Sequence, residues 1–183
     1  MRRAARALCI AIMLMAGPTV TITVAQTVEV NPQADTSMPS DPRGAMQAAR
    51  ERVASGNLGG AVTGLQSYVE SHPGEIGPER LLGDLYYRKG ELARAEATYR
   101  HILAYAPLDK ETHSRLGSVY ATENRVDDAI AEFNRSLPGT DSVPDLVRLH
   151  MRKGDLKTYK RTVQERADSN PSDAEAQSEL GQF

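Results

Sequence analysis

The sequence predicts an all-α fold, an α-solenoid built from about four helix-turn-helix repeats. One observation is a spacing: similar triplets recur at intervals of 34, 34 and 30 residues, at Gly56-Asn57-Leu58, Gly90-Glu91-Leu92, Asn124-Arg125-Val126 and Gly154-Asp155-Leu156. Another is a proline that closes three of these units, at Pro73, Pro107 and Pro171. Each triplet separates two stretches with apolar residues at helical spacing, and a fixed period of about 34 residues is typical of stacked helix pairs.

The composition agrees with closely packed helices in one domain. The chain has 183 residues, about the length of a single domain. It has no tryptophan and only two phenylalanines, so leucine, alanine, valine, isoleucine and tyrosine must build its core. The 22 basic and 24 acidic residues nearly balance. This balance argues against nucleic acid as a partner and against an acidic tail.

The first 25 residues have the pattern of a secretory signal peptide. An apolar run, residues 8–16, is broken by Gly17 and Pro18 and leads to a small residue, Ala25. Three arginines precede the run: Arg2, Arg3 and Arg6. Since a membrane-spanning helix needs about 20 apolar residues, we expect export with cleavage after Ala25. The alternatives are an uncleaved membrane anchor and no export.

Export would leave a chain without a thiol and with more acids than bases. The only cysteine, Cys9, lies inside the predicted signal peptide, so no disulfide is expected. Removing three arginines and no acid leaves 19 basic against 24 acidic residues. Residues 26–41 are polar, contain Pro32 and Pro39 and have no hydrophobic periodicity, which predicts a flexible linker. We expect a periplasmic location, with inner-membrane anchoring or secretion as alternatives.

The repeats are framed as residues 42–75, 76–109, 110–139 and 140–173. The second and third are the most regular. In the second repeat, the first helix carries a large, a small and an aromatic residue on one face, at Leu82-Gly83 and Tyr86. Its second helix has apolar residues at steps of four and three, at Ala95, Tyr99 and Ile102. The third repeats this pattern at Leu116-Gly117, Tyr120, Ala129 and Phe133. Matched small residues let the paired helices approach closely.

The outer repeats are more degenerate, as terminal units of a stack are. The first keeps the frame without the aromatic residue, through Ala48-Ala49, Arg52, Gly56, Ala61, Leu65 and Pro73. In the fourth, Val147 replaces the glycine and Tyr159 replaces a small residue, so its helices must splay or shift. Pro138-Gly139 shortens the third repeat by four residues. Residues 174–183 are expected to form a capping helix, with a truncated fifth repeat as the alternative.

These units resemble tetratricopeptide repeats over residues 42–173. The resemblance implies a right-handed α-α superhelix whose inner helices line a concave surface that binds extended or helical peptides. Ten residues are placed on that surface: Arg50, Arg80, Asp84, Tyr87, Arg88, Arg115, Ser118, Arg148, Met151 and Arg152. Some members of the family bind a C-terminal carboxylate through lysine and asparagine side chains. In this sequence Arg50, Asp84 and Ser118 occupy the positions where asparagine is needed, so that site is not expected here.

The six arginines in this set have two interpretations. Arginine offers planar, bidentate contacts to carboxylates, which favours a groove for an acidic segment or a C-terminal carboxylate, with Tyr87 and Met151 as apolar anchors. Alternatively, the arginines solvate the helices and pair with nearby acids such as Glu79 or Glu111. Glu132 is expected on the outer face.

The chain shows no arrangement of residues typical of catalysis. The four histidines lack metal-ligand spacing, and His150 takes the aromatic place of its repeat, which favours a packed histidine. Asp127-Asp128 fits the first turn of a helix better than a metal site. We therefore expect no enzyme, no metal and no cofactor.

The sequence thus predicts a protein-protein interaction scaffold or adaptor in the cell envelope. One alternative is a membrane-tethered assembly factor of the secretion or cytochrome-maturation type. Another is a binder of an acidic polysaccharide or lipid headgroup. Self-association is also open, with Leu180 and Phe183 at the edge. The membrane is contacted only if the signal segment is retained.

Overall fold

A computed structural model describes residues 37–137 and 142–183, which belong to one compact unit, residues 33–183. The signal peptide at residues 1–25 and the first part of the linker, residues 26–36, lie outside the described residues. Within those described, every regular element is a helix, and there are nine: α1 (Pro42–Ala54), α2 (Leu58–Ser71), α3 (Ile76–Arg88), α4 (Leu92–Tyr105), α5 (Lys110–Thr122), α6 (Val126–Ser136), α7 (Val143–Lys153), α8 (Leu156–Ser169) and α9 (Ala174–Leu180). The prediction of an all-α helical repeat fold is confirmed.

The turns between paired helices use a left-handed backbone at the predicted positions. The φ angles are +82° at Gly56, +76° at Gly90, +61° at Asn124 and +80° at Gly154. Glycine adopts this conformation without steric cost, and asparagine tolerates it better than most residues. Each first helix therefore ends in a tight turn that sends the second helix back along it.

Polar side chains fix where several helices begin. The carboxylates of Asp41 and Asp109 accept the backbone N–H groups of Gly44 and Thr112, at 2.7 and 2.8 Å. Asn57 does the same for Gly60 at 2.8 Å. Such caps satisfy backbone donors that have no partner within the helix.

The second and third repeats each pack an aromatic ring against a glycine. Tyr99 of α4 lies over Gly83 of α3, and Phe133 of α6 lies over Gly117 of α5, with both rings buried. Ala95 and Ala129, the matched small residues of the second helices, are fully buried. Large rings and small residues thus alternate along the core, as the sequence pattern predicts.

The fourth repeat replaces this packing by a stacked pair of rings. Tyr159 lies parallel to His150, with 4.1 Å between ring centroids. His150 Nδ1 is 2.7 Å from Asp155 Oδ1 in the turn between α7 and α8. His150 therefore packs between an aromatic ring and a carboxylate of its own repeat.

The last described residues of the predicted linker are packed rather than free. Met38 lies against the hydrophobic core, and Arg52 of α1 donates hydrogen bonds to the Ser37 carbonyl at 2.8 Å and to Met38 Sδ at 2.9 Å. The linker expectation is therefore too long at its C-terminal end. The segment just before α1 covers part of the first helix pair.

At the other end, α9 packs on α8. Ala176 and Glu179 are buried, Arg166 Nη2 of α8 lies 2.9 Å from Glu179 Oε1, and Phe183 lies 5.5 Å from Tyr159 between ring centroids. These contacts tie the last residues of the chain to α8.

The expectation that Glu132 faces solvent on the outer surface is wrong. Glu132 is only 8% exposed, and its Oε2 lies 2.6 Å from His113 Nδ1 on the neighbouring α5. Arg135 also contacts this carboxylate. Because a buried carboxylate needs a charged or hydrogen-bonding partner, the pair ties α6 to α5 inside the third repeat.

Candidate functional site

Two adjoining cavities lie between the first helices of the second, third and fourth repeats. Each encloses about 250 Å³. The first is lined by α3, α4 and α5, at Asp84, Tyr87, Arg88, Tyr99, Arg115 and Ser118. The second is lined by α3, α5, α6 and α7, at Tyr87, Ser118, Ala121, Thr122, Phe133, Asp145, Arg148, Leu149 and Arg152. We call these two cavities together the groove; seven of the ten residues placed on the concave surface line it.

Tyr87 lies in the wall of both cavities, as does Ser118. The Tyr87 Oη lies 2.8 Å from Thr122 Oγ1 on α5. The Thr122 hydroxyl donates to the Ser118 carbonyl at 2.9 Å, so Tyr87 is the donor in its contact with Thr122. The Tyr87 side chain is 36% exposed.

A row of ion pairs joins α3 to α5 at one end of the groove. Arg80 Nη1 lies 2.8 Å from Asp109 Oδ1 and 3.1 Å from Glu111 Oε2. Arg115 lies 3.4 Å from Asp84 and 3.3 Å from Glu111. We call these five residues the α3–α5 ion-pair row. Two of the six predicted groove arginines are therefore already paired with acids of the protein itself.

Buried hydrogen bonds hold the two aspartates of this row. Tyr99 Oη donates to Asp84 Oδ1 at 2.7 Å, and burial together with that negative charge raises the pKa of the Tyr99 phenol. Burial alone would raise the pKa of the Asp109 carboxyl. The hydrogen bonds from Thr112 and the Arg80 guanidinium outweigh it and hold the pKa of Asp109 below its ordinary value.

The fourth repeat supplies three predicted residues from α7. Arg148 is paired with Asp145 at 2.7 Å. Arg152 donates to the side-chain oxygen of Asn124, a neutral amide, so its charge is not neutralised by that contact. Met151 is 61% exposed but lines neither cavity.

Arg88 and Arg50 make no ion pair with any described residue. Arg88 is exposed in the wall of the first cavity, whereas Arg50 is exposed on α1 outside both. Of the six arginines, Arg80, Arg115 and Arg148 pair with acids of the protein itself, and the other three have no carboxylate partner among the described residues.

Six lining residues were not placed on the groove from the sequence: Tyr99, Ala121, Thr122, Phe133, Asp145 and Leu149. Tyr99 and Phe133 were expected only as packing residues of their repeats. The repeat length carried a signal for three others, because Ala121, Thr122 and Leu149 follow Tyr87, Arg88 and Arg115 by 34 residues. Extending the groove by the repeat period, rather than by residue type, would have found all three.

A larger and more apolar cavity of about 450 Å³ lies between α2, α3 and α4, and its walls include Val69, Leu82 and Tyr86. The Glu79 carboxylate in its wall already has two partners, since His101 Nδ1 lies 2.5 Å from one oxygen and Tyr105 donates to the other at 2.6 Å. The exposed Glu70 carboxylate is bonded only to the Gln66 amide, so the charge that this cavity presents is negative, in contrast to the groove.

The described ranges contain no cluster of three histidine, cysteine or acidic side chains that could hold a metal ion. Asp127 and Asp128 lie in the first turn of α6, where each pairs with a base, Lys153 at 2.7 Å and Arg125 at 2.8 Å. No helix in residues 37–137 or 142–183 has the length and apolar character to cross a membrane.

Comparisons with known proteins agree with this architecture. A family model for the tetratricopeptide repeat matches residues 80–144. The structure resembles MamA from Desulfovibrio magneticus RS-1, at 19% identity over 74% of this chain and 78% of that chain, with a TM-score of 0.58. It also resembles TTC0263, a tetratricopeptide-repeat protein of Thermus thermophilus, at 22% identity over 82% and 81%, with a TM-score of 0.54.

A third similar structure contains a bound peptide. The first tetratricopeptide domain of Spaghetti (RPAP3), bound to the HSP90 peptide SRMEEVD, is 14% identical over 66% of this chain and 98% of that chain, with a TM-score of 0.58. No curated protein sequence matches this chain. At these identities the solved structures establish the fold alone.

The stacked helix pairs, with a groove between their first helices, define a helical-repeat protein. The family match is more specific for part of the chain: residues 80–144 are similar to tetratricopeptide repeats. Proteins of this family are generally interaction modules without catalytic activity.

Proposed function

We propose that this protein is a non-enzymatic scaffold or adaptor that binds a segment of a partner protein in the groove. The observation that carries the proposal is the pair of adjoining cavities with an exposed tyrosine between them and two arginines, Arg88 and Arg152, that no described carboxylate neutralises. Aromatic and arginine side chains are the residue types that most often dominate protein interfaces.

The partner segment is acidic or ends in a carboxylate. Arg88 belongs to the wall of one cavity and Arg152 to that of the other, so a segment that passes Tyr87 meets a guanidinium in each. Guanidinium groups favour carboxylates through two parallel hydrogen bonds. An apolar side chain of the partner would rest on Tyr87.

The protein works in the cell envelope after export to the periplasm. The support for this is the signal-like pattern of residues 1–25. If that segment is retained, the same groove would serve a membrane-tethered assembly factor of the secretion or cytochrome-maturation type.

Site-specific photo-crosslinking in the native host tests the proposal. A photoreactive phenylalanine analogue replaces Tyr87, and the matched control carries it at Asn134, an exposed residue of α6 away from the groove. We expect one dominant protein adduct from position 87 and none from position 134. Mass spectrometry of the adduct then names the partner and its crosslinked segment, which should be rich in acidic residues.

Two results would contradict the protein-scaffold proposal. One is equal adducts from both positions, which would indicate non-specific contact. The other is an absence of protein adducts together with binding of an anionic polysaccharide or of anionic lipid vesicles. Such binding would fall steeply with salt, because charge alone would carry it.

A further inference from the structure

At one end of the groove, beside its first cavity, a carboxylate of the protein itself lies between two arginines. Glu111, in the first turn of α5, places Oε2 3.1 Å from Arg80 Nη1 and Oε1 3.3 Å from Arg115 Nη2. Each oxygen of one carboxylate thus faces a different guanidinium. A carboxylate from a bound peptide would make the same kind of contact in the same place.

The other acids of the α3–α5 ion-pair row are fixed more firmly than Glu111. The Asp109 side chain is 21% exposed and caps α5 through the Thr112 N–H. The Asp84 side chain is 28% exposed and accepts the Tyr99 hydroxyl. Both aspartates therefore have a structural hydrogen bond in addition to their arginine.

Glu111 has no such second anchor. Its side chain is 55% exposed, and among the described residues it bonds only to the two arginines. An ion pair that faces water contributes little to stability and exchanges readily. If Glu111 moves away, Arg80 keeps Asp109 and Arg115 keeps Asp84, so neither guanidinium is left unpaired.

We propose that Glu111 is an internal competitor for the partner's carboxylate, which must displace it from Arg80 and Arg115 to bind that end of the groove. This inference rests on the proposed function and adds an autoinhibitory contact to it. Glu111 sets a threshold: a segment with one weak acidic contact does not displace it, whereas a carboxylate-rich segment held at several points does. Neutral segments gain nothing by displacing Glu111, so the contact also favours acidic partners.

The test compares two variants that each remove one negative charge. Glu111→Gln removes the competing carboxylate from Arg80 and Arg115, and the control Glu123→Gln removes an acid that pairs with Arg125 at 3.2 Å outside the groove. The probe is a fluorescently labelled oligoglutamate peptide, titrated at low salt against the wild-type protein and both variants. We expect Glu111→Gln to bind it roughly two- to fivefold more tightly than wild type, the size of effect that an exposed ion pair produces.

A second substitution assigns the gain to the arginines. Adding Arg115→Gln to Glu111→Gln should remove the tighter binding, and circular dichroism should show that all variants keep wild-type helix content. Equal or weaker binding by Glu111→Gln, or an equal gain in Glu123→Gln, overturns the inference. So does failure of the peptide to bind either wild type or Glu111→Gln. A partner adduct at position 87 would still support the proposed function in those cases.

Discussion

At the scale of single residues, two glycines set how closely paired helices approach. A Cβ atom on Gly83 would lie 2.5 Å from Tyr99 Cε1, and one on Gly117 would lie 3.0 Å from Phe133 Cδ1. The Tyr99 ring cannot move aside freely, because it is buried and its hydroxyl is bonded to Asp84 in the groove. The packing of the repeat and the geometry of the groove therefore depend on the same ring.

Replacing Gly83→Ala should destabilise the protein by about 1–3 kcal/mol, since the added methyl overpacks a buried ring. Urea denaturation followed by circular dichroism measures the change. The matched control is Gly59→Ala, at an exposed helical position where a Cβ meets no atom within 4 Å. There we expect a gain of roughly 0.5–1 kcal/mol from helix propensity. Equal effects at the two sites would contradict the packing account.

The buried acid Glu132 shows why single residues resist prediction from sequence. Hydrophobic periodicity assigns glutamate to solvent, and only a partner makes its burial possible. That partner, His113, lies 19 residues earlier on another helix. The repeat period marks the position of His113 as one that takes a buried polar residue. Glu79 lies 34 residues before His113, at the equivalent position of the second repeat, and both are buried.

At the scale of helices, the sequence predicted the turns and the ends of the helices. It did not predict which arginines of the predicted surface pair with acids of the protein itself. Gly90 and Pro107 mark the turn after α3 and the end of α4 because few other residues suit those backbone conformations. Which arginines stay unpaired depends on the spacing between α3 and α5, which fixes the contacts of Arg80 and Arg115. Composition carries no information about that spacing.

The short helix α9 is expected to stabilise the stack as a cap. Deleting residues 174–183 removes the contacts of Phe183 with Tyr159 and of Glu179 with Arg166. Uncovering this partly apolar surface should cost about 2 kcal/mol and lower the melting temperature by several degrees. Thermal denaturation measures the loss.

Light scattering of the same truncated protein separates a cap from a self-association surface. A cap predicts an unchanged molecular mass with lower stability. A fall from an oligomeric to a monomeric mass would instead show that residues 174–183 join two copies of the chain, as a truncated fifth repeat would.

At the scale of the whole molecule, the tyrosines link stability to alkaline pH. Burial, with nearby carboxylates at several of the rings, raises the pKa of six of the seven: Tyr68, to about 12, and Tyr86, Tyr99, Tyr105, Tyr120 and Tyr159. The folded state therefore holds these phenol protons more tightly than the unfolded chain, whose tyrosines ionise near pH 10.

The sign of the effect follows from this difference. The tyrosine contribution to stability is full below about pH 10 and is lost as the pH rises from there towards the folded pKa values. We expect tyrosinate absorbance to appear in one step above pH 10, together with loss of helical circular dichroism. Gradual ionisation of these six residues near pH 10 with the helices intact would contradict the burial and hydrogen bonding of their hydroxyl groups.

The charges of the molecule divide into those used internally and those left for a partner. Arg80, Arg115 and Arg148 are paired with acids of their own or a neighbouring repeat, whereas Arg88 and Arg152 are not. We therefore expect partner recognition around Tyr87, with Arg88 in one cavity and Arg152 in the other.

The most direct measurement is the affinity of the crosslinked partner segment for the double variant Arg88→Gln and Arg152→Gln. Its matched control is Arg94→Gln and Arg100→Gln, two exposed arginines of α4 outside the groove that remove the same charge. We predict that the groove variant binds at least about tenfold more weakly than wild type. This loss corresponds to about 1.4 kcal/mol of binding free energy, shared between two guanidinium contacts. The control variant should bind with little change. Unchanged affinity in the groove variant, or an equal loss in both, would contradict the account.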